Sequence, residues 1–409
     1  MKAQPSPKPL AQGEIGLSSP LPPGEGPGVR GFQLPPLALY VHIPWCVKKC
    51  PYCDFNSHAA GPTLPEEEYV DALLADLDAD LGHVHDRPLS SIFFGGGTPS
   101  LFSARALGRL LEGVERRVPF ASDIEITLEA NPGTFEQAKF KDYRRLGINR
   151  LSIGVQSFQA PKLIALGRIH DGNEAVHAAD MARAAGFDNF NLDLMHGLPD
   201  QSIEDALSDL RTAIAQGPTH LSWYQLTVEP NTVFWNQPPV MPEDDILWDI
   251  QEAGQALLAA EGYAQYEVSA YAQAGKAARH NLNYWTFGDF LGIGAGAHAK
   301  LSRPDGSISR SWKTRLPKDY LDASKRFSAG ERALGADELP FEFLMNVLRL
   351  TDGVASELFT QRTGLPLSQL AAARLEAQQR GLLHSDPARL SATREGQLFL
   401  NDLLQHFLP

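Results

Sequence analysis

From residue 37 onward the sequence alternates short apolar runs with longer stretches of helical spacing, and it does so six times. LALYVHI (37–43) leads into a helical pattern over 66–82, and SSIFFGGG (90–97) into one over 103–117. DIEITLEANPG (123–133) precedes 134–146, and NRLSIGVQSF (149–158) precedes 160–166 and 172–185. FDNFNLDLMHGLP (187–199) leads into 202–216, and HLSWYQLTVEP (220–230) leads through a Pro-rich loop into 243–261. Six strand-then-helix units argue for an α/β fold with a parallel sheet and helices outside it. Six is fewer than the eight of a closed barrel, so the reading is an open, partial (β/α)6 barrel; a doubly wound sheet is the alternative. YEVSAYA and FLGIGAGAHA, within 263–300, carry Gly-rich turns that could close the sheet edge.

Four regions follow: a Pro/Gly-rich extension (1–34), the α/β core (35–300), a polar connector (301–338) and a small C-terminal domain (339–409). The last reads as short helices followed by a two-strand wing, hence winged-helix-like. A wing invites a DNA-binding guess, but a formal charge of −13 opposes a polyanionic partner, and no nucleic acid is expected. The first 34 residues lack the apolar segment of a signal peptide and read as disordered. No apolar run approaches the roughly 18 residues of a spanning helix. Unpaired cysteines without an export signal point to the cytoplasm.

All three cysteines fall within eight residues, in YVHIPWCVKKCPYCDFN (40–56). Cys46, Cys50 and Cys53 are odd in number, so disulfides cannot account for them all. C-x3-C-x2-C also lacks the second pair of a CxxC…CxxC zinc site. Soft thiolates this close select an iron–sulfur cluster, copper(I) or zinc. A four-iron cluster normally takes four thiolates, and three leave one iron with an exchangeable site for a small chelating molecule. Ile43, Trp45, Tyr52 and Phe55 could shield such a cluster, and Lys48 and Lys49 could offset its charge.

Ligand groups are expected just beyond the strands' C-terminal ends. GGGTP (95–99) follows the second strand, and its backbone amides could reach a carboxylate or amine. Glu129 ends the third strand, Gln156 the fourth and Asp193 the fifth, while Arg168 lies on the stretch after the fourth. Buried charges need partners, so a salt-bridged core joining Arg168 to Glu129 or Asp193 is the alternative to a ligand site.

The cysteine motif at the end of a first strand resembles the radical S-adenosylmethionine superfamily. In it, the open iron is chelated by the amino and carboxylate groups of adenosylmethionine. YVHIPWC, GGGTPS, LEANPG, RLSIGVQSF, GLPDQ and YQLTVEPNT narrow the resemblance, over residues 38–409, to the oxygen-independent coproporphyrinogen III dehydrogenase family and its heme-chaperone branch. The resemblance implies a [4Fe-4S] cluster on Cys46, Cys50 and Cys53. It also implies adenosylmethionine contacts at Tyr40, Tyr52, Gly96, Gly97, Thr98, Glu129, Gln156, Arg168 and Asp193. Whether a second adenosylmethionine binds stays open.

Two features separate dehydrogenase from chaperone. The dehydrogenase pattern has a further cysteine two positions after the third, where this chain has Phe55. RHNLNYW (279–285) reproduces the H-N-x-x-Y-W motif that the chaperone branch associates with heme, at His280, Asn281, Tyr284 and Trp285. Imidazole is a common axial ligand of heme iron, and the two aromatics could pack on a porphyrin face. On its own the segment could equally be a hydrogen-bonded core histidine beside two packing aromatics. His42 reads as a group supporting the cluster, and His196 and His298 as structural or substrate-lining.

The expectation is therefore a chaperone that binds one heme per chain and transfers it to acceptor hemoproteins, membrane-bound ones included, after receiving it from a donor. A cluster-dependent homodimer is expected by analogy. The alternatives are an oxygen-independent coproporphyrinogen III dehydrogenase and another radical enzyme acting on a small substrate, so enzymatic turnover is left open.

Overall fold

A computed structural model describes residues 32–133 and 137–409. The expected extension over 1–31 and the start of the helix expected at 134 lie outside the described residues. Six parallel strands, β1 (Leu37–Ile43), β2 (Leu89–Gly96), β3 (Phe120–Ala130), β4 (Arg150–Gln156), β5 (Phe190–His196) and β6 (His220–Gln225), lie side by side in chain order. Burial on both faces explains why their sequences are nearly continuous apolar runs rather than alternating ones. A doubly wound sheet would reverse its strand order partway. Among β1–β6 the order never reverses, so successive right-handed crossovers keep their helices on one face and the sheet curls into an open partial barrel.

The helices on that face are α1 (Glu66–Asp80), α2 (Ala104–Glu115), α3 (Phe140–Arg145), α4 (Ala160–Ala165), α5 (Gly172–Ala184), α6 (Ile203–Ala215) and α7 (Asp244–Ala260). Their starts are chemically marked. Ser103 accepts from the Ala106 amide, and Asp171 with Glu174 and Ser202 with Asp205 form reciprocal capping boxes. Leu39, Val41, Ile92, Phe94, Leu128, Ile153, Leu192 and Leu221 join the buried helix faces in one core.

Both sheet edges extend further than the sequence pattern suggests. Beyond β6 lies the hairpin of β7 (Ala264–Glu267) and β8 (Ala270–Ala272). On the other side, β1 is not an edge. It pairs in parallel with β9 (Asp289–Ile293), followed by antiparallel β10 (His298–Ser302), β11 (Ile308–Lys313) and β12 (Ser328–Ala333). FLGIGAGAHA therefore lengthens the sheet instead of closing it. The stretch expected as a connector (301–338) supplies the outermost strands; its polar composition is that of a half-exposed edge, which a connector reading cannot distinguish.

Helix α8 (Arg279–Trp285) packs on β1, β2 and β9, and α9 (Leu339–Val347) opens the C-terminal domain. That domain has its own core around Phe343, Val347, Phe359, Leu370 and Leu403. Its wing forms through a Leu383–Ala392 bridge, and Leu390 also pairs back to Val354, ahead of the domain's later helices. Among the described residues no helix is long and apolar enough to cross a membrane.

Candidate functional site

The C-terminal ends of β1–β6 face a cavity of about 360 Å³. Cys46, Cys50, Cys53, Tyr52, Gly96, Gly97, Thr98, Glu129, Gln156, Arg168 and Asp193 all line it, together with Asn281 and Trp285 of α8. Tyr40 does not. It lines a neighbouring cavity of about 510 Å³ with Tyr284 and Trp285. The two cavities share Phe55 and Trp285.

The three thiols are free and half-buried. Burial raises the Cys46 and Cys53 thiols above their ordinary range, while Thr98 and Ser57 respectively oppose the shift through hydrogen bonds. Cys53 Sγ lies 3.7 Å from Ser57 Oγ, and Arg168 Nη1 donates to Cys50 Sγ at 3.6 Å. Among the described residues no group of three or more His, Cys, Asp or Glu side chains is placed to hold a metal ion.

Around the thiols the cavity is built from polar groups with spare capacity. Gln156 Oε1 and Arg168 Nε are buried without a hydrogen-bond partner, which a polar ligand would supply. Gln156 stands at φ 63°, a left-handed conformation uncommon for non-glycine residues. No ion pair joins Arg168 to Glu129 or Asp193 among the described residues, so the salt-bridged core is not what forms. Arg168 Nη2 donates instead to Asn131 Oδ1 (2.8 Å) and to the Gly154 carbonyl (2.6 Å). Asp193 accepts from Ser152 and Asn191.

The glycine loop behaves differently from its expected role. The Gly97 and Thr98 amides are already used, donating to the Ile43 and Trp45 carbonyls at 2.7 Å each. A Cβ on Gly97 would meet the Trp45 backbone at 2.5 Å, so glycine is needed for close approach to the segment that leads from β1 into the cysteines. The Gly96 amide donates to Glu129 Oε2 at 3.2 Å.

Burial, and then the charge of Asp193, pushes Glu129 up to about 8, against the Gly96 bond. Between its ordinary value of 4.5 and about 8 the folded chain holds a proton that the unfolded chain has lost. Stability contributed at this position therefore declines as pH rises through that window. A Glu129→Gln variant should escape the decline. Its unfolding free energy relative to the parent should grow by about 1.4 kcal/mol per pH unit across the window, measurable by urea unfolding at several pH values.

The sequence reading missed Asn131, which bridges Arg168 and Thr98, and Tyr224, which lines the cavity from β6. Both stand at strand ends, the signal that found their neighbours. Arg349 of the C-terminal domain also lines the cavity. Its guanidinium lies 4.3 Å from the Trp285 ring centre and 3.0 Å from Glu267.

His280 lines neither cavity. It is 1% exposed, with Nδ1 bonded to Ser91 Oγ (2.9 Å) and Nε2 to Tyr284 Oη (2.8 Å), and it stacks on Phe93. Burial, then the charge of Arg150, lowers it to about 3, so it is neutral. His42 is equally committed, to Tyr40 Oη (3.0 Å) and the Asn56 carbonyl (2.9 Å), and so steadies the loop after the cysteines. His196 is buried against Trp223.

Compared with known proteins, residues 40–213 match the Radical SAM superfamily model and 334–399 the HemN C-terminal domain. The chain is 54% identical to heme chaperone HemW of Escherichia coli over 92% of its own length and 99% of that protein's. It belongs to the HemW family. HemW of Haemophilus influenzae is 52% identical over the same shares, and HemW of Bacillus subtilis 33% identical over 91% and 99%. Among solved structures, coproporphyrinogen III oxidase HemN of E. coli, a radical SAM enzyme, superposes with a TM-score of 0.77 at 24% identity, covering 93% of this chain and 91% of that one. At that identity the likeness bears on the fold: HemW-family chains share it with a porphyrinogen enzyme.

Proposed function

We propose that this chain binds one heme and passes it to acceptor hemoproteins, carrying a [4Fe-4S] cluster on Cys46, Cys50 and Cys53 with an exchangeable adenosylmethionine beside it. The observation that carries the reading is the wall shared by the two cavities. Trp285, from the HNLNYW segment, and Phe55, where the dehydrogenase pattern has a cysteine, both face the cysteine cavity and the larger aromatic one. Membership of the HemW family supports it.

The residues fit the implied groups: three thiols without a fourth, and unpartnered Gln156 and Arg168 atoms beside them. When bound, the cluster and adenosylmethionine supply one-electron chemistry at a sulfonium. The chain's own part is to hold and shield. Arg168 offsets thiolate charge at Cys50, and Asp193 and the protonated Glu129 offer acceptors and a donor to a zwitterionic ligand. Tyr284 and Trp285 present aromatic surface to the heme, with His280 holding Tyr284 in place. In this reading the cluster and adenosylmethionine serve assembly, dimerisation or transfer. Donor and acceptor proteins, membrane-bound acceptors among them, and a cytoplasmic setting belong to the same proposal.

Anaerobic reconstitution with iron and sulfide tests it. The reconstituted chain should take up hemin to one equivalent and leave coproporphyrinogen III unconsumed. A Cys50→Ser variant should lose the cluster's visible absorbance and deliver heme poorly to an apo-hemoprotein. Decarboxylation of the porphyrinogen would replace the chaperone reading with the dehydrogenase one, and full delivery by Cys50→Ser would remove the cluster from the function.

A further inference from the structure

The larger cavity has the composition of a tetrapyrrole pocket. At about 510 Å³ it lies within the range of roughly 300–1,000 Å³ typical of small-molecule sites. Tyr284, Trp285, Phe290 and Phe55 supply flat apolar surface, with Tyr284 and Phe290 packed edge to face at 4.5 Å. Phe55 is 63% exposed, a large aromatic left facing open space. The Trp285 indole N–H is buried with no acceptor.

Charge in this cavity is two guanidiniums against one carboxylate: Arg310 and Arg315 line it with Asp54. Arg310 is held by Glu342 at 2.7 Å, whereas Arg315 makes no ion pair among the described residues. Two arginines lining an aromatic cavity, Arg315 without an ion pair among the described residues and Arg310 with the donors that Glu342 leaves over, match a flat molecule bearing two carboxylates, because guanidinium recognises carboxylate through paired hydrogen bonds.

Two histidines line the cavity, and they differ in availability. His42 has both ring nitrogens engaged. His298, at the start of β10, is exposed and its ring takes part in no hydrogen bond among the described residues. Burial of part of the ring, with Arg310 and Arg315 nearby, lowers its pKa and leaves it as the neutral imidazole that binds metal. His280, by contrast, would have to break its bond to Ser91 or to Tyr284 before ligating anything.

The turn carrying His298 is rigidly placed. Asn56 Nδ2 donates to the Ala295 and Arg315 carbonyls at 2.8 and 2.9 Å, and a Cβ on Gly296 (φ 85°) would strike that amide at 2.4 Å. Asn56 follows the last cysteine by three residues, so the cysteine loop and the His298 turn are pinned together.

We propose that the cavity between β1, α8 and β10 is the heme site, with His298 as the protein ligand to iron, Arg315 and Arg310 as partners of the two propionates, and Tyr284 and Trp285 as the wall against the ring. The assignment rests on the heme-binding reading above and names its residues. His280 is a positioning residue in it, acting through Tyr284.

Anaerobic titration with hemin and with metal-free protoporphyrin tests the assignment in the parent chain, His298→Ala and Arg315→Glu. His298→Ala should weaken hemin binding about tenfold or more and remove the imidazole-ligated spectrum, while leaving protoporphyrin affinity unchanged. Arg315→Glu should weaken both ligands. Both side chains are exposed and make few contacts, so thermal unfolding should match the parent. Parent-like affinity and spectrum in His298→Ala, or parent-like affinity in Arg315→Glu, would overturn the assignment while heme binding itself stands. No uptake of hemin by the parent would overturn the heme reading together with it.

Discussion

Asp289→Ala is expected to lower the unfolding free energy by about 3–5 kcal/mol, the cost of leaving a buried charge without its partner. Asp289 is fully buried at the start of β9. One oxygen accepts from Arg87 Nη1 (2.8 Å) and the Ser302 amide (2.9 Å), the other from Lys300 Nζ (2.9 Å) and Ser302 Oγ (2.8 Å). Burial alone would raise this carboxyl; Lys300, Arg87 and Ser302 reverse the effect and hold it below the ordinary range. Lys300 is 1% exposed, and burial brings its pKa down to about 8 although Asp289 opposes the shift. Without Asp289, its ammonium keeps the Phe287 and Gly288 carbonyls and the face of the Phe287 ring but no counter-charge among the described residues.

A second change distinguishes a lost ion pair from a lost fold. Asp289→Ala with Lys300→Met should recover part of the loss, because the second change removes the buried ammonium that the first leaves unpaired, while Arg87, the other partner of Asp289, keeps the His83, Val84 and Pro35 carbonyls. Urea unfolding of the parent, the single and the double variant measures this. A single variant within about 1 kcal/mol of the parent would show that the pair contributes little. The consequences extend beyond stability. The Asp289 carbonyl accepts from Asn283 of α8 at 2.8 Å, and β9 runs directly into the turn that carries His298. Heme affinity should therefore fall with stability in the single variant and return in part in the double.

How much of this was legible in the sequence depended on whether a local pattern carried the information. The parallel strands and their order followed from alternating apolar runs and helical stretches. The cysteine cavity followed from one rule, that ligands collect at the C-terminal ends of parallel strands, and Glu129, Gln156 and Asp193 stand there. Long-range pairing left no such trace. β9 joins β1 although some 250 residues separate them, and Leu37↔Asp289 is a register that spacing cannot give. The polar strands β11 and β12 resemble a connector because an exposed edge selects the same residues as a loop. His280 shows the same limit at the scale of one side chain. HNLNYW identifies an imidazole beside two aromatics, but whether a nitrogen is free depends on Ser91, 189 positions away. The free imidazole in the larger cavity is His298 of GAGAHA, which the sequence left between a structural and a substrate-lining role.

Acidification should unfold the unliganded chain before pH 4, and the steepest loss should lie between about pH 6.5 and 4.5. Burial holds His42, His170 and His196 at about 4 and His280 at about 3, so each is neutral in the folded chain. Unfolded, each would titrate near 6.5. Below that value the unfolded state binds more protons at these positions, and stability falls with pH; above it the contribution is fully present. Glu129 acts in the opposite direction, since the folded chain holds its proton up to about 8. His220, held well below its ordinary value by burial, adds to these imidazoles, while burial raises Asp76 and Asp209 in the direction of Glu129. The imidazoles give the unfolded chain the surplus of protons, each worth about 1.4 kcal/mol per pH unit. A domain with a typical stability of about 5–15 kcal/mol cannot sustain several such losses for more than a few units. Far-UV circular dichroism against pH, in the parent and in a His170→Gln variant, tests the account. His170 touches neither cavity and bonds the Val155 carbonyl through Nε2, so glutamine can keep that bond while shedding the titration. Its acid midpoint should move down by a few tenths of a pH unit, in proportion to one proton of the surplus. A midpoint that stays put, or a parent chain still folded at pH 3, would mean that these imidazoles accept protons in place, through openings the structure does not contain.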